Sequence, residues 1–349
     1  MPGLDGRIIS VRSQRQDLNL VPAAVPEFVP AEGTGEEVLT ADLAGWTASQ
    51  WTPAGGSDSG PTHELLQERN NLQRARLWRP IRGPRRVALP DRTELLQGVV
   101  AHFSADGKNA YTRDLAGITV RDIYTAQPMR DFSRRHGQSN KPAATSMRTT
   151  QHLVPAESQH ERAFLRLADY HPDVAHVAAQ PFTLDWRDLV GVPNGHPKTH
   201  TPDFLLFAPG QPPLVVDVKI PSKALEPKKI ARHQTIRDTL HAAGIFYVVW
   251  VGTHQHVSAN LANFRAARVT PATRERWGHE ALAQCIPSTT VEGLTRGLLA
   301  AGMDPLRAPT LIRALLWDRH LLTDMTVQYS PRSVVWRPDR TVEGKGDVR

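Results

Sequence analysis

The 349-residue chain has one cysteine, Cys285, which excludes an intramolecular disulfide and a cysteine-based zinc site and fits a reducing compartment. It has no apolar run near the ~18 residues that a bilayer helix needs. Its opening, MPGLDGRIIS, lacks the basic-then-apolar pattern of a signal peptide. These absences predict a soluble cytoplasmic protein with no membrane partner. Walker A, GxGxxG and GxSxG sequences are missing too, which removes the usual support for phosphate-loop, dinucleotide and serine-hydrolase chemistry. Lysine is scarce: of 42 basic residues only eight are lysine, and five of those (Lys198, Lys219, Lys223, Lys228 and Lys229) fall between 198 and 229.

What is present is a formal charge of +7 on a chain 40% hydrophobic and 22% charged. That composition can bury a core, and the charge suits a polyanionic partner. Residues 1–60 are rich in Pro, Gly, Thr and Glu without sustained periodicity, which predicts a mostly disordered arm; Trp46 and Trp51 are exceptions that dock on the body or on a partner, or sit in a loosely packed arm. From 61 to 127 we expect a short helix capped by Thr62 and running to Arg76, the connector RPIRGPRR (79–86), and a hairpin of VVAHF and AYTRDL around Asp106-Gly107. The segment 128–252 carries a helix from Glu157 to Leu167, ending before His171-Pro172. Three strand-like runs (177–186, 203–208, 214–219), a helix from Glu226 to Ala243 closed by Gly244, and the apolar run 245–251 complete it. Strands bracketing a helix predict an α/β fold with a mixed sheet and a crossover. After Gly252, Thr289 and Glu292 have capping-box spacing ahead of a helix to Ala301, a second helix spans 306–317, and 322–325 with 333–336 form a hairpin. That outline for 253–338 fits a winged-helix-like domain or a plain helical cap, with 339–349 as a tail.

Asp217 and Lys219 stand two apart on a strand and so leave the same face, while Val216 and Val218 turn into the core. Asp203, after Thr201-Pro202, opens the neighbouring strand, so its carboxylate can meet that of Asp217. Two close carboxylates repel unless they share a proton or a cation. One or two Mg²⁺ ions are the natural guests, taking oxygen from Asp203, Asp217 and the Val218 carbonyl. Lys219 beside them is placed to orient or deprotonate a water and to offset charge on a phosphate.

PDF at 202–204 with VVDVK at 215–219 resembles the PD-(D/E)xK nuclease motif of the restriction-endonuclease-like fold. The segment 157–186, with PMRDFSRRHGQSN (128–140) before it, is similar to TnsA-type transposon endonucleases, as more loosely is LIRALLWDRHLLTDM (311–325) with SPRSVVW after it. The resemblance covers 128–252 well and leaves residues 1 to about 95 unmatched. It implies a restriction-endonuclease-like core plus a C-terminal winged-helix-like domain, and a Mg²⁺-dependent DNA endonuclease that cuts 5′ ends at transposon termini. By it, Glu161 is the third acidic catalytic residue, Asp203 and Asp217 hold metal, and Lys219 is the catalytic lysine. Implied partners are double-stranded DNA at transposon ends, an RNase-H-fold, TnsB-like transposase and a TnsC-like ATPase, in the cytoplasm at the nucleoid of a prokaryote. A free-standing restriction or repair endonuclease, and a non-catalytic DNA-binding or assembly subunit, remain as alternatives.

Other candidates carry two readings each. Glu157, one turn before Glu161, competes for its role or is a solvated helix-start acid. Lys223, Lys228, Lys229 and Arg232 form a basic edge that contacts the DNA backbone or simply faces solvent. Gln180 and His200 are supporting candidates. The loop 187–200 is a DNA-contacting segment or a hairpin tip. His196 with His200, and His254 with His256, have ligand-like spacing without a matching second pair.

Overall fold

Gly107 has a φ of 71°, and Asp106 accepts from the main-chain N–H groups of Lys108 and Asn109, so the expected hairpin closes on a turn that glycine and aspartate favour. Its strands are β1 (Val100–Phe103) and β2 (Tyr111–Asp114), antiparallel with Val100 opposite Asp114 and Phe103 opposite Tyr111. This computed structural model describes residues 7–8, 26–27, 64–69, 86–90, 98–130, 142–150, 152–171, 174–187, 198–208, 211–224, 226–253 and 255–338. Most of the arm with Trp46 and Trp51, the helix beyond 69, most of the 79–86 connector, 131–141, the loop 188–197 with His196, His254 and the tail 339–349 lie outside the described residues.

The chain divides into two compact units that meet in sequence at Gly252 and Thr253. In the first, α1 (Val120–Thr125) starts at a reciprocal cap between Thr119 and Asp122. A two-stranded pair, β3 (Ala143–Ser146) and β4 (Leu153–Ala156), precedes α2 (Gln159–Tyr170), whose first turn is capped by the Ser158 hydroxyl. The helix gives way at His171, ahead of Pro172, as the sequence predicts.

The run 177–186, expected as one strand, is two. β5 (His176–Ala179) and β6 (Phe182–Asp185) lie on different sheets because Gln180 takes a φ of 46° and Pro181 follows it. Next come β7 (Thr199–His200), β8 (Phe204–Phe207), β9 (Leu214–Val218), the single turn α3 (Pro221–Ala224), α4 (Pro227–His241) and β10 (Phe246–Trp250). Gly244, with a φ of 73°, turns the chain from α4 into β10. The central sheet runs β10-β9-β8-β5, and β8 is antiparallel to both its neighbours. β9 and β10 are parallel, joined through α4 by the expected crossover.

A second sheet, β2-β1-β6-β7, joins the hairpin to β6, so the sequence boundary between 61–127 and 128–252 runs through a single sheet. All five residues of β9 are buried because both faces of the central sheet are covered. On one face Phe164 of α2 stacks on Phe204 at 5.4 Å and meets Trp250 edge-on at 5.6 Å. On the other, Val215, Tyr247 and Val249 share a core with Ile236 and Leu240 of α4. Each such fully buried side chain contributes about 1.5–3 kcal/mol over an exposed one.

The second unit contains α5 (Gln255–Ala266), α6 (Pro271–Ala283), β11 (Ser288–Thr290), α7 (Val291–Ala300), α8 (Ala308–Trp317), β12 (Leu322–Thr323) and β13 (Val334–Trp336). α5, α6 and β11 were not anticipated. The strands form the antiparallel sheet β11-β13-β12, whose β12 and β13 are the expected hairpin. The α7 cap is Thr290, not Thr289: the Thr290 hydroxyl accepts from the Gly293 N–H, and Glu292 pairs with Arg296. Among the described residues no helix is long and apolar enough to cross a membrane.

Candidate active site

The register that pairs Phe204 with Val216 continues one step, setting Asp203 beside Asp217 at the ends of β8 and β9. Three oxygens converge there on one cation, the Lys219 ammonium. Lys219 Nζ donates to Asp203 Oδ2 at 2.7 Å and to the Val218 carbonyl at 3.1 Å, and lies 3.7 Å from Asp217 Oδ1. The Val218 N–H donates to Asp203 Oδ2 at 2.7 Å, which fixes that carboxylate against β9. The sequence names this same set, Asp203, Asp217 and the Val218 carbonyl, as cation ligands.

The electrostatics follow from burial and partners. Burial raises the Asp203 carboxyl, opposed by Lys219 and reinforced by Asp217. Burial also pushes Asp217 up, but His200 and Lys219 outweigh it and hold its carboxyl well below the usual range. Burial lowers Lys219, yet Asp217, Asp203 and Glu161 raise it above its ordinary value. With no metal bound, this pairing favours the ammonium form of Lys219, which suits charge compensation and orientation.

Glu161 is buried in the first turn of α2, where its carboxylate accepts from the Glu157 N–H at 2.7 Å and contacts the Ser158 hydroxyl at 3.0 Å. Burial, then the charge of Asp203, pushes it up to about 7. Glu157 is not a turn earlier on the helix: it precedes the Ser158 cap, and its carboxylate accepts from Gln180 Nε2 at 2.9 Å. Gln180 in turn donates its main-chain N–H to the Asp203 carbonyl at 2.9 Å, so this supporting candidate ties α2 and the β5–β6 break to the strand end that carries Asp203.

His200 closes on the site from β7, its Nε2 2.8 Å from Asp217 Oδ2. Arg232, grouped by sequence with the DNA-facing basic residues, turns its guanidinium onto the Thr199 carbonyl and His200 Nδ1, both at 3.3 Å. Lys223, Lys228 and Lys229 are exposed. Sequence reasoning missed Tyr247 and His233, which also close on Asp217, and His160, whose Nε2 sits 3.2 Å from the Lys219 carbonyl and whose ring packs on Trp250 at 4.6 Å.

Among the described residues no group of three or more histidine, cysteine, aspartate or glutamate side chains is arranged to hold a metal ion. The donor set here is instead two carboxylates and one main-chain carbonyl. Among the described residues Asp217 Oδ1 is buried without a hydrogen-bond partner, and the Lys219 ammonium lies 3.7 Å from it. Hard oxygen donors gathered around a positive charge fit a divalent ion such as Mg²⁺. No protein-family model matches the chain, and no curated protein matches it.

Proposed function

We propose that the chain is a Mg²⁺-dependent DNA endonuclease of the TnsA type, with a restriction-endonuclease-like core, serving as the 5′-end-cutting subunit of a heteromeric transposase. The observation that carries this reading is the convergence of Asp203 Oδ2, Asp217 Oδ1 and the Val218 carbonyl on Lys219 Nζ at the end of a parallel crossover. Asp203, Asp217 and the Val218 carbonyl are the groups that hold the ion, which when bound polarises phosphate and activates water. Lys219 orients the attacking water and offsets charge developing on the phosphoryl oxygens. Glu161 contributes a third carboxylate from α2. Water adds to phosphorus and the bond to O3′ breaks, leaving 5′-phosphate and 3′-hydroxyl ends.

Lys223, Lys228 and Lys229 hold the backbone of double-stranded DNA through charge, independent of sequence. Helices α7 and α8 with the sheet β11-β13-β12 support a winged-helix-like reading of the second unit. Site selection then falls to a partner, an RNase-H-fold, TnsB-like transposase that cuts and joins the other strand, with a TnsC-like ATPase as regulator, at the nucleoid.

Cleavage of transposon-end DNA, reconstituted with the partner transposase, tests the assignment. Asp217→Ala is expected to abolish 5′-end cutting while DNA binding persists. Cutting by Asp217→Ala at the rate of the native chain defeats the assigned site.

A further inference from the structure

The two carboxylate oxygens of Asp217 have different surroundings. Oδ2 accepts from the Tyr247 hydroxyl at 2.5 Å and has His200 Nε2 at 2.8 Å and His233 Nδ1 at 3.8 Å. Among the described residues, Oδ1 has the Lys219 ammonium at 3.7 Å and no hydrogen-bond partner. The protons on the surrounding groups follow from their outer contacts. Arg232 can only donate, so His200 Nδ1 accepts from it and the ring hydrogen sits on Nε2, which lies 2.8 Å from Asp217 Oδ2 in close charge contact but without hydrogen-bond geometry. The Tyr247 hydroxyl gives its one hydrogen to Asp217, so it accepts from His233 Nδ1 at 2.6 Å, which fixes the second tautomer as well. All these contacts lie on the α4 side of the sheet, with Asp217 and Tyr247 fully or nearly fully buried.

We infer that Tyr247, backed by His233, holds Asp217 Oδ2 by a hydrogen bond, with His200, backed by Arg232, packed against the same oxygen, and that these positioning residues leave Oδ1 as the oxygen open to a divalent ion. The inference rests on the proposed metal-dependent chemistry and adds to it that Asp217 is a one-oxygen ligand. It also excludes His200 from the ligand set, because its inward nitrogen carries a hydrogen. Outer hydrogen bonds of this kind orient a ligand, and their loss typically costs about 10–100-fold in metal affinity.

The test is Mn²⁺ binding to the full chain without DNA, followed by isothermal titration or by the electron spin resonance signal of free Mn²⁺. Tyr247→Phe removes a hydroxyl from an otherwise unchanged ring and is expected to weaken Mn²⁺ binding by about tenfold or more. Its cleavage recovers to within a few fold at saturating Mn²⁺, so the half-saturating concentration moves and the maximal rate does not. His200→Ala, which removes the other close contact on Oδ2, is expected to move the same quantity and serves if Tyr247→Phe fails to fold. Folded variants that bind Mn²⁺ as tightly as the native chain overturn the inference and leave the endonuclease reading standing. A native chain that binds no Mn²⁺ overturns both.

Discussion

The ammonium of Lys219 donates to the Asp203 carboxylate at 2.7 Å, a pair formed inside the candidate site between groups that both have reason to face a metal ion. Without metal the lysine balances two carboxylates; with metal it is one positive charge too many for the same oxygens. Two effects therefore oppose each other at Lys219, charge balance in the empty site and competition in the filled one.

Replacing this lysine with an uncharged side chain separates the two effects. Lys219→Met leaves Asp203 and Asp217 facing each other uncompensated, so the metal-free protein is expected to melt at a lower temperature than the native chain. Saturating Mn²⁺ is expected to raise the melting temperature of Lys219→Met by more than it raises that of the native chain, because no ammonium has to give way. Cleavage is expected to fall by about 100-fold or more even at saturating metal. Equal metal-induced shifts in the two proteins count against a shared cation position.

Glu161 gives a pH dependence with a defined sign. Its ordinary value is 4.5, and in the fold burial and Asp203 push it up to about 7. Below 4.5 the group is neutral in both folded and unfolded chains and contributes nothing. Between 4.5 and about 7 the folded chain holds a proton that the unfolded chain has released, so this group costs stability progressively as pH rises through that window. Glu161→Gln removes the titration. Relative to the native chain, metal-free Glu161→Gln is expected to gain stability from pH 4 to pH 8, by a swing of up to about 3 kcal/mol, read from urea unfolding in a chelator. A difference between the two proteins that stays flat across the window contradicts a raised Glu161.

Much of this site was legible because strand periodicity is local. Two residues apart on a strand means the same face, which placed Lys219 with Asp217, and the antiparallel register of β8 and β9 brings Asp203 alongside. The hairpin and the crossover were legible for the same reason, each being announced by a turn residue and an apolar run. Tyr247 was not: it lies 30 residues from Asp217, in a strand whose sequence reads as uniformly apolar. The turn of Arg232 onto His200 was equally hidden, since helix spacing places it with lysines and only the position of β7 shows what it meets. α5 escaped notice because its buried residues, Val257, Asn260, Leu261 and Phe264, include a polar one, and Asn260 is satisfied by the Met325 and Val327 carbonyls far along the chain.

The exposed lysines on and before α4 make a prediction about salt. Each phosphate contact by a lysine contributes roughly 0.9 to the slope of log affinity against log salt on duplex DNA. Lys228→Ala with Lys229→Ala is expected to flatten that slope by about 2 and to weaken binding alike on transposon-end and unrelated duplexes. Arg232→Ala is expected to leave the slope unchanged, since its guanidinium is committed to Thr199 and His200. Fluorescence anisotropy across a salt series reads both, and an unchanged slope in the double-lysine variant removes these residues from the DNA surface.

Gln180 makes the last prediction, because two of its properties pull a substitution in opposite directions. Its φ of 46° belongs to the left-handed region, which costs a side-chain-bearing residue about 1 kcal/mol and glycine almost nothing. Its amide donates to Glu157 at 2.9 Å, a bond to a carboxylate that contributes stability of similar size. Gln180→Ala loses the bond and keeps the strain; Gln180→Gly loses the bond and relieves the strain. Glycine ordinarily destabilises a chain relative to alanine, but here Gln180→Gly is expected to exceed Gln180→Ala by about 1 kcal/mol in urea unfolding. The reverse order means that the chain between β5 and β6 does not pass through the left-handed region, and with it fails the account of why one apolar run became strands on two sheets.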